Sequence, residues 1–390
     1  MPPAPPYAAD FLTRDWPLLL RACSVSRNST AISSLATEIR DSESLLRLAE
    51  EHGVIAHLSA AYACISDASI SAALLDSLRA HHRAQVLSTL SITAELFRVL
   101  DLLRKSGLES LVIKGPVLAL RAYGDPAARQ YGDIDLIVRH ADIARAAKII
   151  VASGYESRIP VEAIHEGRIP GQYLFLRPGT NVIFELHTER TLRYFPLRLP
   201  IETYFRRKTS VALDGHAVPA LSVEHELVLI SIHGAKHFWE RLMWISDIAA
   251  MVYNHPELDW KHVRQAAAEV GAERIVRLAL LLAERVLNAS VPAEMKSDVA
   301  LDSVCSKLVR EIETWLPYAG YAAPTVARRA MFRFRMRGRP FSGVQYLTRL
   351  SLATTEEDWS ADMQGPSSRI AGFLRRPFRL AKKYRRDLDS

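Results

Sequence analysis

Two aspartates separated by one residue are the part of this sequence best suited to chemistry. Asp133 and Asp135 flank Ile134 in a short run that is otherwise apolar and ends at Val138. Because side chains alternate between the two faces of a strand, both carboxylates would project to one side while the apolar residues enter the core. Two carboxylates this close need a compensating cation, and Mg²⁺ prefers oxygen ligands. The pattern therefore predicts a divalent-cation site.

A third carboxylate follows in another apolar run, residues 182–186. The same alternation places Glu185 and His187 together on one face of a strand. Three carboxylates on adjacent strands can hold two metal ions ~4 Å apart, which stabilises in-line displacement at phosphorus. We therefore expect Asp133, Asp135 and Glu185 to be catalytic and to bind Mg²⁺ or Mn²⁺, with His187 as a candidate substrate ligand.

A possible phosphate-binding turn lies upstream of these residues. The apolar run 111–113 leads into Lys114 and Gly115, and residues 117–123 are predicted to form a helix. A glycine in a strand–helix turn lets the backbone approach a phosphate, whose charge the helix N-terminus favours. Lys114 would add a positive charge there. Each pattern alone is common, but their conjunction is typical of a nucleotide-binding catalytic site.

The elements that would position these residues divide the chain into five parts. A chain of 390 residues with 49% hydrophobic composition suffices for two or three domains. Helical periodicity dominates at both ends, with short apolar runs bounded by Gly, Pro and Asp between them. We predict a disordered leader (1–9), an N-terminal helical region (10–107), a core of strands and helices (108–220), a C-terminal helical domain (221–317) and a basic tail (318–390). Within the core, the predicted strands are residues 111–113, 134–138 and 182–186, and a second helix spans 141–153.

The net charge of +7 comes from the C-terminal end of the chain. Residues 324–390 contain 15 Lys and Arg against 6 Asp and Glu. Basic residues alternate there with Phe and Leu, which suits peripheral contact with an anionic membrane surface or with single-stranded RNA. A solvated tail is equally compatible with the pattern. The rest of the chain is slightly acidic, so its body is not a surface that coats nucleic acid.

Composition also limits the cellular setting. No run of ~18 apolar residues is available to span a membrane, and the Pro-rich first residues lack the features of a signal peptide. Cys23, Cys64 and Cys305 form no CxxC pair and cannot make an even disulfide framework. We therefore expect a cytoplasmic protein, with peripheral contact at the inner membrane surface as an option for the tail.

Residues 231–252 are predicted to form one helix with an apolar stripe and, about 100° away, a polar and aromatic stripe. The second stripe consists of His233, His237, Glu240, Trp244 and Asp247. It could line a cleft opposite the carboxylates, with Trp244 stacked on a base or sugar and His237 or Asp247 orienting an acceptor hydroxyl. Two alternatives stay open. His233 and His237 have the i, i+4 spacing of metal ligands, although the Glu of an HExxH motif is absent, and the stripe could also pack between domains.

Together, these motifs resemble those of the nucleotidyltransferase superfamily, in which a strand, a Gly-containing turn and a helix precede a Dh[DE]h strand and a third carboxylate strand. More narrowly, the sequence is similar to an uncharacterised bacterial nucleotidyltransferase family with the pattern LKGxxLxxxxYGDPxxRxxGDIDLLV. The matching residues are Ile113 to Pro116, Tyr123 to Pro126, Arg129 and Gly132 to Val138. Further likeness is found in Glu185 to His187, His233 to Trp239, Arg241 and Leu242, Trp244, and Asp247 to Ala249.

The resemblance implies an α/β fold: an α+β nucleotidyltransferase core with a mixed sheet, flanked by N- and C-terminal helical regions. It also implies that Lys114, Gly115, Arg129 and Gly132 bind the nucleotide. The turn departs from the superfamily, where it usually reads Gly-Gly or Gly-Ser, because here Pro116 follows Gly115. Proline has no N–H to donate and no hydroxyl, so Lys114 and Arg129 are expected to take over the phosphate contacts.

The implied activity is a metal-dependent transfer of an NMP from an NTP such as ATP to a hydroxyl acceptor, with release of pyrophosphate. The sequence does not define the acceptor, which could be a sugar, a small metabolite, a protein or RNA. The alternative is a non-catalytic nucleotide-binding sensor or assembly factor associated with surface-polysaccharide synthesis. Three intact carboxylates favour the enzyme, whereas the unusual turn favours the alternative.

Overall fold

The computed structural model describes residues 12, 14–39, 41–65, 70–165, 171–180, 182–188, 197–300, 302–318 and 326–337. The predicted leader, and the part of the predicted basic tail beyond residue 337, lie outside these residues.

Five helices make up the N-terminal part of the chain. They are α1 (Asp15–Cys23), α2 (Ser29–Thr37), α3 (Ser42–Glu51), α4 (Ile55–Ala63) and α5 (Ala72–Lys105). The longest, α5, begins after Ser71, whose hydroxyl accepts a hydrogen bond from the backbone N–H of Leu74. It ends at Lys105, near the end of the predicted N-terminal helical region (10–107). Gly107 takes the left-handed conformation that favours glycine at this position (φ 71°).

A seven-stranded mixed sheet forms the centre of the molecule, as the predicted fold class requires. Its strands are β1 (Leu111–Ile113), β2 (Asp133–Ile137), β3 (Glu156–Ser157), β4 (Gln172–Leu176), β5 (Ile183–His187), β6 (Thr209–Leu213) and β7 (His216–Ala220). Their order in the sheet is β3-β4-β5-β2-β1-β7-β6. β2 runs parallel to β5, and β1 runs antiparallel to β2 and parallel to β7. The three strands predicted individually are confirmed to within one residue.

Four short helices connect the strands. They are α6 (Gly115–Tyr123), α7 (Ile143–Ala152), α8 (Val161–His165) and α9 (Ile201–Arg206), with a 3-10 turn at His140–Asp142. One face of the sheet packs against α5 and α7, where Ile134, Leu136, Phe184 and Leu186 are buried in one apolar cluster. The alternation predicted for β2 and β5 is therefore confirmed, and it leaves the carboxylates on the opposite face.

The C-terminal part is helical. It consists of α10 (Val223–Lys236), α11 (Leu242–Asn254), α12 (Trp260–Val270), α13 (Glu273–Leu287), α14 (Ala293–Ala300), α15 (Ser303–Trp315), a 3-10 turn (Leu316–Tyr318) and α16 (Val326–Arg335). The buried ion pair between Arg121 on α6 and Glu226 on α10, 2.6 Å long, ties this part to the sheet. In the described part of the chain, no helix has both the length and the apolarity that crossing a bilayer requires.

The prediction of a single helix over residues 231–252 is wrong. α10 and α11 are separate, and between them Phe238 and Trp239 have positive φ values of 59° and 54°. The chain folds back so that the Trp239 ring packs directly on Gly234. A Cβ at Gly234 would lie within 2.5 Å of carbons of that ring. Helical periodicity continues through these residues in the sequence, but the packing of Trp239 interrupts the helix.

α16 comes from the segment that the sequence assigns to the basic tail. Phe332 and Met336 are fully buried, and the Phe332 ring contacts the ring of Phe238. Arg333 donates from Nη2 to the carbonyl oxygen of Lys236 at 3.2 Å. The C-terminal helical part therefore continues beyond residue 317 and reaches the residues that join α10 to α11.

Candidate active site

The register of three strands brings the predicted carboxylates together. In the parallel pairing of β2 with β5, Asp135 lies directly opposite Glu185. In the antiparallel pairing of β1 with β2, Ile113 lies on the other side of Asp135. Lys114 follows Ile113 in the chain, so the turn into α6 begins beside the same carboxylate.

The turn after β1 has an unusual backbone. Lys114 has φ 59° and ψ −145°, and Gly115 follows with φ 50°. A non-glycine residue in such a conformation costs of the order of 1–3 kcal/mol and persists only when its surroundings hold it there. Pro116 suits the first turn of α6, where a backbone N–H has no partner within the helix. This backbone directs the Lys114 ammonium to Asp135, 2.8 Å away.

Each oxygen of Asp135 contacts an internal basic group. Lys114 Nζ lies 2.8 Å from Oδ2, and His187 Nε2 lies 2.6 Å from Oδ1. His187 Nε2 is also 3.3 Å from Oε2 of Glu185, an oxygen that accepts a hydrogen bond from Gln172 Nε2 at 2.6 Å. Ligand atoms of Asp135, Glu185 and His187 lie within 4.8 Å of one another, which is close enough to share one metal ion.

The two aspartates of β2 differ in their electrostatic state. Burial, followed by the charge of Asp135, raises the pKa of Asp133 to about 6. Burial also disfavours ionisation of Asp135, but Lys114 and His187 outweigh it and hold the pKa of that carboxyl well below its ordinary value. Asp133 makes no ion pair within the described residues. Ionisation is therefore less favourable at Asp133 than at Asp135.

The donor set fits a divalent cation. Asp135, Glu185 and His187 offer ligand atoms close enough to share one ion, and Asp133 adds a carboxylate two residues earlier on β2. Carboxylate oxygens suit Mg²⁺ and Mn²⁺, and a ring nitrogen suits Mn²⁺. A cation beside Asp133 would offset the burial and the charge of Asp135 that together raise the pKa of its carboxyl. The chemistry of these residues thus agrees with the cofactor that the sequence predicts.

A cleft with two chambers separates these carboxylates from α10 and α11. The small chamber has a volume of about 220 Å³ and is bounded by Gln172, Glu185 and His187 on the sheet and by Leu229 and Lys236 on α10. Asp133 and Glu185 thus lie on its floor, and α10 forms its roof.

The large chamber has a volume of about 490 Å³. It extends from Gly115 and Gly132 to Arg241 and Trp244. The residues that line both chambers are Lys114, Asp133, His233 and His237. The chambers therefore meet above Asp133.

The helical wall of the cleft carries the aromatic residues of the predicted polar stripe. The rings of His237 and Trp244 stack with centroids 5.0 Å apart, and His233 contacts both. Burial, followed by the charge of Lys236, lowers the pKa of His237 to about 3. Burial and then Lys114 lower the pKa of His233 well below its ordinary value. Both rings are consequently neutral at pH 7 and can exchange hydrogen bonds with a polar ligand.

Two of the predicted ligands instead form a buried pair. Arg129 Nε lies 2.9 Å from each carboxylate oxygen of Asp247, and the Tyr123 hydroxyl donates to Oδ1 at 2.9 Å. Asp247 is not among the described residues that line either chamber. Its contacts favour a role in fixing α11 against α6. Arg129 is mostly engaged in this pair, although it also lines the large chamber beside Gly132.

Three further cleft residues were not predicted as ligands. Gln172 reaches Glu185 because β4 pairs with β5 in antiparallel register, and no local sequence pattern indicates that contact. Lys236 and Arg241 lie on either side of the turn that holds His237. The alternation of basic and aromatic residues in this stretch is a usable signal for both.

The mixed sheet, the turn after β1 and the facing helices are the architecture of a nucleotidyltransferase. A comparison with family models identifies the family: residues 39–288 match the model described as uncharacterised nucleotidyltransferase, and the chain belongs to that family. No curated protein matches the chain. Among solved structures, the chain is similar to the crystal structure of an antigenic nucleotidyltransferase-like protein from Paracoccidioides brasiliensis. The identity is 18% and the TM-score 0.30, over 54% of this chain and 94% of that chain.

Proposed function

We propose that this protein transfers an NMP from an NTP to a hydroxyl acceptor and releases pyrophosphate. The observation that carries the proposal is the in-register pair of Asp135 and Glu185, with Asp133 two residues earlier on the same strand, on the floor of the cleft. Membership of the nucleotidyltransferase family supports the reaction class.

Asp135 and Glu185, with His187 beside them, would hold Mg²⁺ or Mn²⁺, and Asp133, which faces the same cleft, would supply a further carboxylate. When bound, such an ion supplies charge neutralisation and Lewis acidity at the transferring phosphoryl group. Lys114 contributes separately, because its ammonium already balances part of the negative charge of this carboxylate cluster.

The large chamber is the proposed NTP site. Its volume of about 490 Å³ lies within the ~300–1,000 Å³ typical of small-ligand pockets. The start of α6 at Gly115 favours the charge of a triphosphate. Lys114 and Arg129 line the same chamber and would share with the triphosphate the positive charge that each already directs to an aspartate, Asp135 and Asp247. A Cβ at Gly132 would meet no atom within 4 Å, so a ligand can approach the backbone there. Trp244 offers a flat ring to a base or sugar.

The acceptor hydroxyl would approach the α-phosphorus from the small chamber. Its oxygen forms a bond to that phosphorus, the bond from phosphorus to the bridging oxygen breaks, and pyrophosphate leaves with the bridging oxygen. The hydroxyl proton passes to Oε1 of Glu185, because Oε2 already accepts a hydrogen bond from Gln172.

The first test is Asp133→Asn. Asp133 makes no ion pair among the described residues, so this substitution leaves the contacts of Lys114 and His187 with Asp135 in place. We expect the Mg²⁺-dependent affinity for α,β-methylene-ATP, measured by calorimetry, to fall by at least about tenfold, the loss of one charge-assisted contact. Asp76→Asn, an exposed position on α5, is the control. Unchanged affinity in folded Asp133→Asn would remove the metal assignment.

The phosphate contacts are tested with Lys114→Ala. Triphosphate binding should weaken more than binding of the nucleoside, because the Lys114 ammonium attracts phosphate groups, which a nucleoside lacks. Equal losses for both ligands would contradict this role. Turnover is tested with each α-³²P-labelled NTP, Mg²⁺ or Mn²⁺, and lysate fractions as the source of acceptor.

One observation favours the non-catalytic alternative. Lys114 and His187 neutralise Asp135 from within the chain, so this carboxylate is stabilised without an added cation. A sensor would bind nucleotide tightly but transfer no label to any fraction and release no pyrophosphate. An enzyme would release pyrophosphate in an Asp133-dependent manner.

A further inference from the structure

The roof of the small chamber carries an unusual lysine. Lys236, in the last turn of α10, lines this chamber, whereas it does not line the large one. No carboxylate among the described residues lies within ion-pair distance of its Nζ, although Lys114 nearby is paired with Asp135. Burial, followed by the charge of Lys114, lowers the pKa of Lys236. An ammonium held in this way gains stability from an anion that binds beside it.

The floor of the same chamber has the opposite character. Glu185 and Asp133 face the cavity there, and Gln172 and His187 hold the Glu185 carboxylate in position. A ligand in the chamber therefore meets hydrogen-bond acceptors at one end and a cation at the other. Between them lie the neutral rings of His233 and His237 and the apolar side chain of Leu229.

We propose that the small chamber binds an acceptor that carries an anionic group, a phosphate or a carboxylate, with Lys236 as its counter-charge. The acceptor hydroxyl then lies near Glu185, and the anionic group lies on the α10 side of the chamber. This inference rests on the proposed function, since it gives the chemical class of the acceptor in that reaction.

Size and charge separate this site from the NTP site. A volume of about 220 Å³ is below the ~300–1,000 Å³ of typical ligand pockets, and it suits a compact molecule or the end of a longer one. The start of α6, Arg129 and Trp244 all belong to the large chamber. The triphosphate thus has its own positive groups, and Lys236 is available to a second ligand.

The test uses the full chain and inorganic phosphate as the probe, with its binding followed by line broadening in ³¹P NMR. Titrations are run with and without saturating Mg²⁺ and α,β-methylene-ATP, and nucleotide affinity is measured separately by calorimetry. Lys236→Met should weaken phosphate binding by at least about tenfold, the loss of one charge-assisted contact, and leave nucleotide affinity unchanged. Lys236→Arg, which keeps the charge, should retain phosphate binding. Lys261→Met, at an exposed position on α12, is the matched control.

The outcomes distinguish this inference from the proposed function. Phosphate that binds wild type and Lys236→Met equally, or that does not bind wild type, overturns the anion site. Loss of nucleotide affinity in Lys236→Met, with phosphate displaced by nucleotide in wild type, assigns Lys236 to the triphosphate and also overturns the inference. Lys236-dependent phosphate binding in a protein that binds no nucleotide would leave the anion site standing, while the proposed function fails.

Discussion

Gly234→Ala offers a quantitative test of how the helical wall of the cleft is built. In most helices this change is stabilising, because alanine is favoured over glycine by ~0.8–1.0 kcal/mol. Here the new Cβ would lie within 2.5 Å of carbons of the Trp239 ring. That ring is fully buried, and its backbone is held at φ 54°. Overpacking a core costs ~1–3 kcal/mol, and a clash this close belongs at the upper end. We therefore expect a net destabilisation of about 2 kcal/mol.

The assay is urea unfolding, monitored by circular dichroism. If the m-value is unchanged, the shift in the midpoint urea concentration reports the change in the free energy of unfolding. Trp239→Leu supplies the matched background, because it removes the ring atoms that the Cβ would meet. In that background Gly234→Ala should become neutral or stabilising, so the two substitutions are coupled by about 2–3 kcal/mol. Equal or greater stability of Gly234→Ala in the wild-type background would refute the reasoning, and so would additive effects of the two changes.

Three further predictions concern the frame of the cleft. Asp247→Ala should destabilise the fold by about 3–5 kcal/mol in urea unfolding, because it leaves Arg129 buried without its partner; a stable variant with impaired turnover would instead support the acceptor role. Burial lowers the pKa of His57 from 6.5 to about 3, so its neutral ring contributes fully to the free energy of unfolding above pH 6.5, and this contribution is lost as the pH falls toward 3. His57→Gln should reduce the dependence of the free energy of unfolding on pH in this range by about 1.4 kcal/mol per pH unit. An unchanged pH dependence in the variant contradicts this prediction. Truncation after residue 318 should be about 3–6 kcal/mol less stable in urea unfolding than truncation after residue 337, because it removes the buried Phe332 and Met336; equal stability of the two truncated chains would argue against the packing of α16.

The floor of the site follows from local sequence. Alternation in β2 and β5 fixes which side chains share a face, and this places Asp133, Asp135 and Glu185 together once the strands are adjacent. The turn after β1 is also local, because the apolar run 111–113 leads directly through Lys114 into the helix that begins at Gly115. These elements are predictable since side-chain direction within a strand does not depend on distant parts of the chain.

The helical wall of the cleft, formed by α10 and α11, depends on tertiary contacts that the helical periodicity of the sequence does not predict. Residues 231–252 have a regular helical pattern, yet the helix breaks where Trp239 packs on Gly234. The pattern likewise does not separate cleft residues from buried pairs. His237 lines the cleft, whereas Asp247 on the same stripe pairs with Arg129. A polar residue on a helix face can line a cleft or form a buried pair, and only the tertiary structure determines which of the two it does.

The alternation of basic residues with Phe and Leu in the tail does not distinguish residues packed on the protein from residues that bind a partner. In α16 the arginines lie on a helix whose Phe332 side chain is buried, so the same alternation of Arg and Phe describes an amphipathic helix docked on the protein. Contact with a membrane or with RNA remains a prediction for the residues beyond 337.

The division of charge across the cleft explains why the floor can form before any ligand binds. Three carboxylates close together on adjacent strands, one of them the buried Asp135, would repel one another, but Lys114 and His187 offset Asp135 from within the chain. Asp133 lacks such a partner, and the pKa of its carboxyl is raised to about 6. If a divalent cation binds as we propose, we expect it to stabilise the ionised form of Asp133 more than that of Asp135, which Lys114 and His187 already stabilise. Removing the carboxylate of Asp133 should accordingly weaken cation binding more than removing that of Asp135. The two residues lie on the same face of β2, so their positions in the strand alone would not predict this difference.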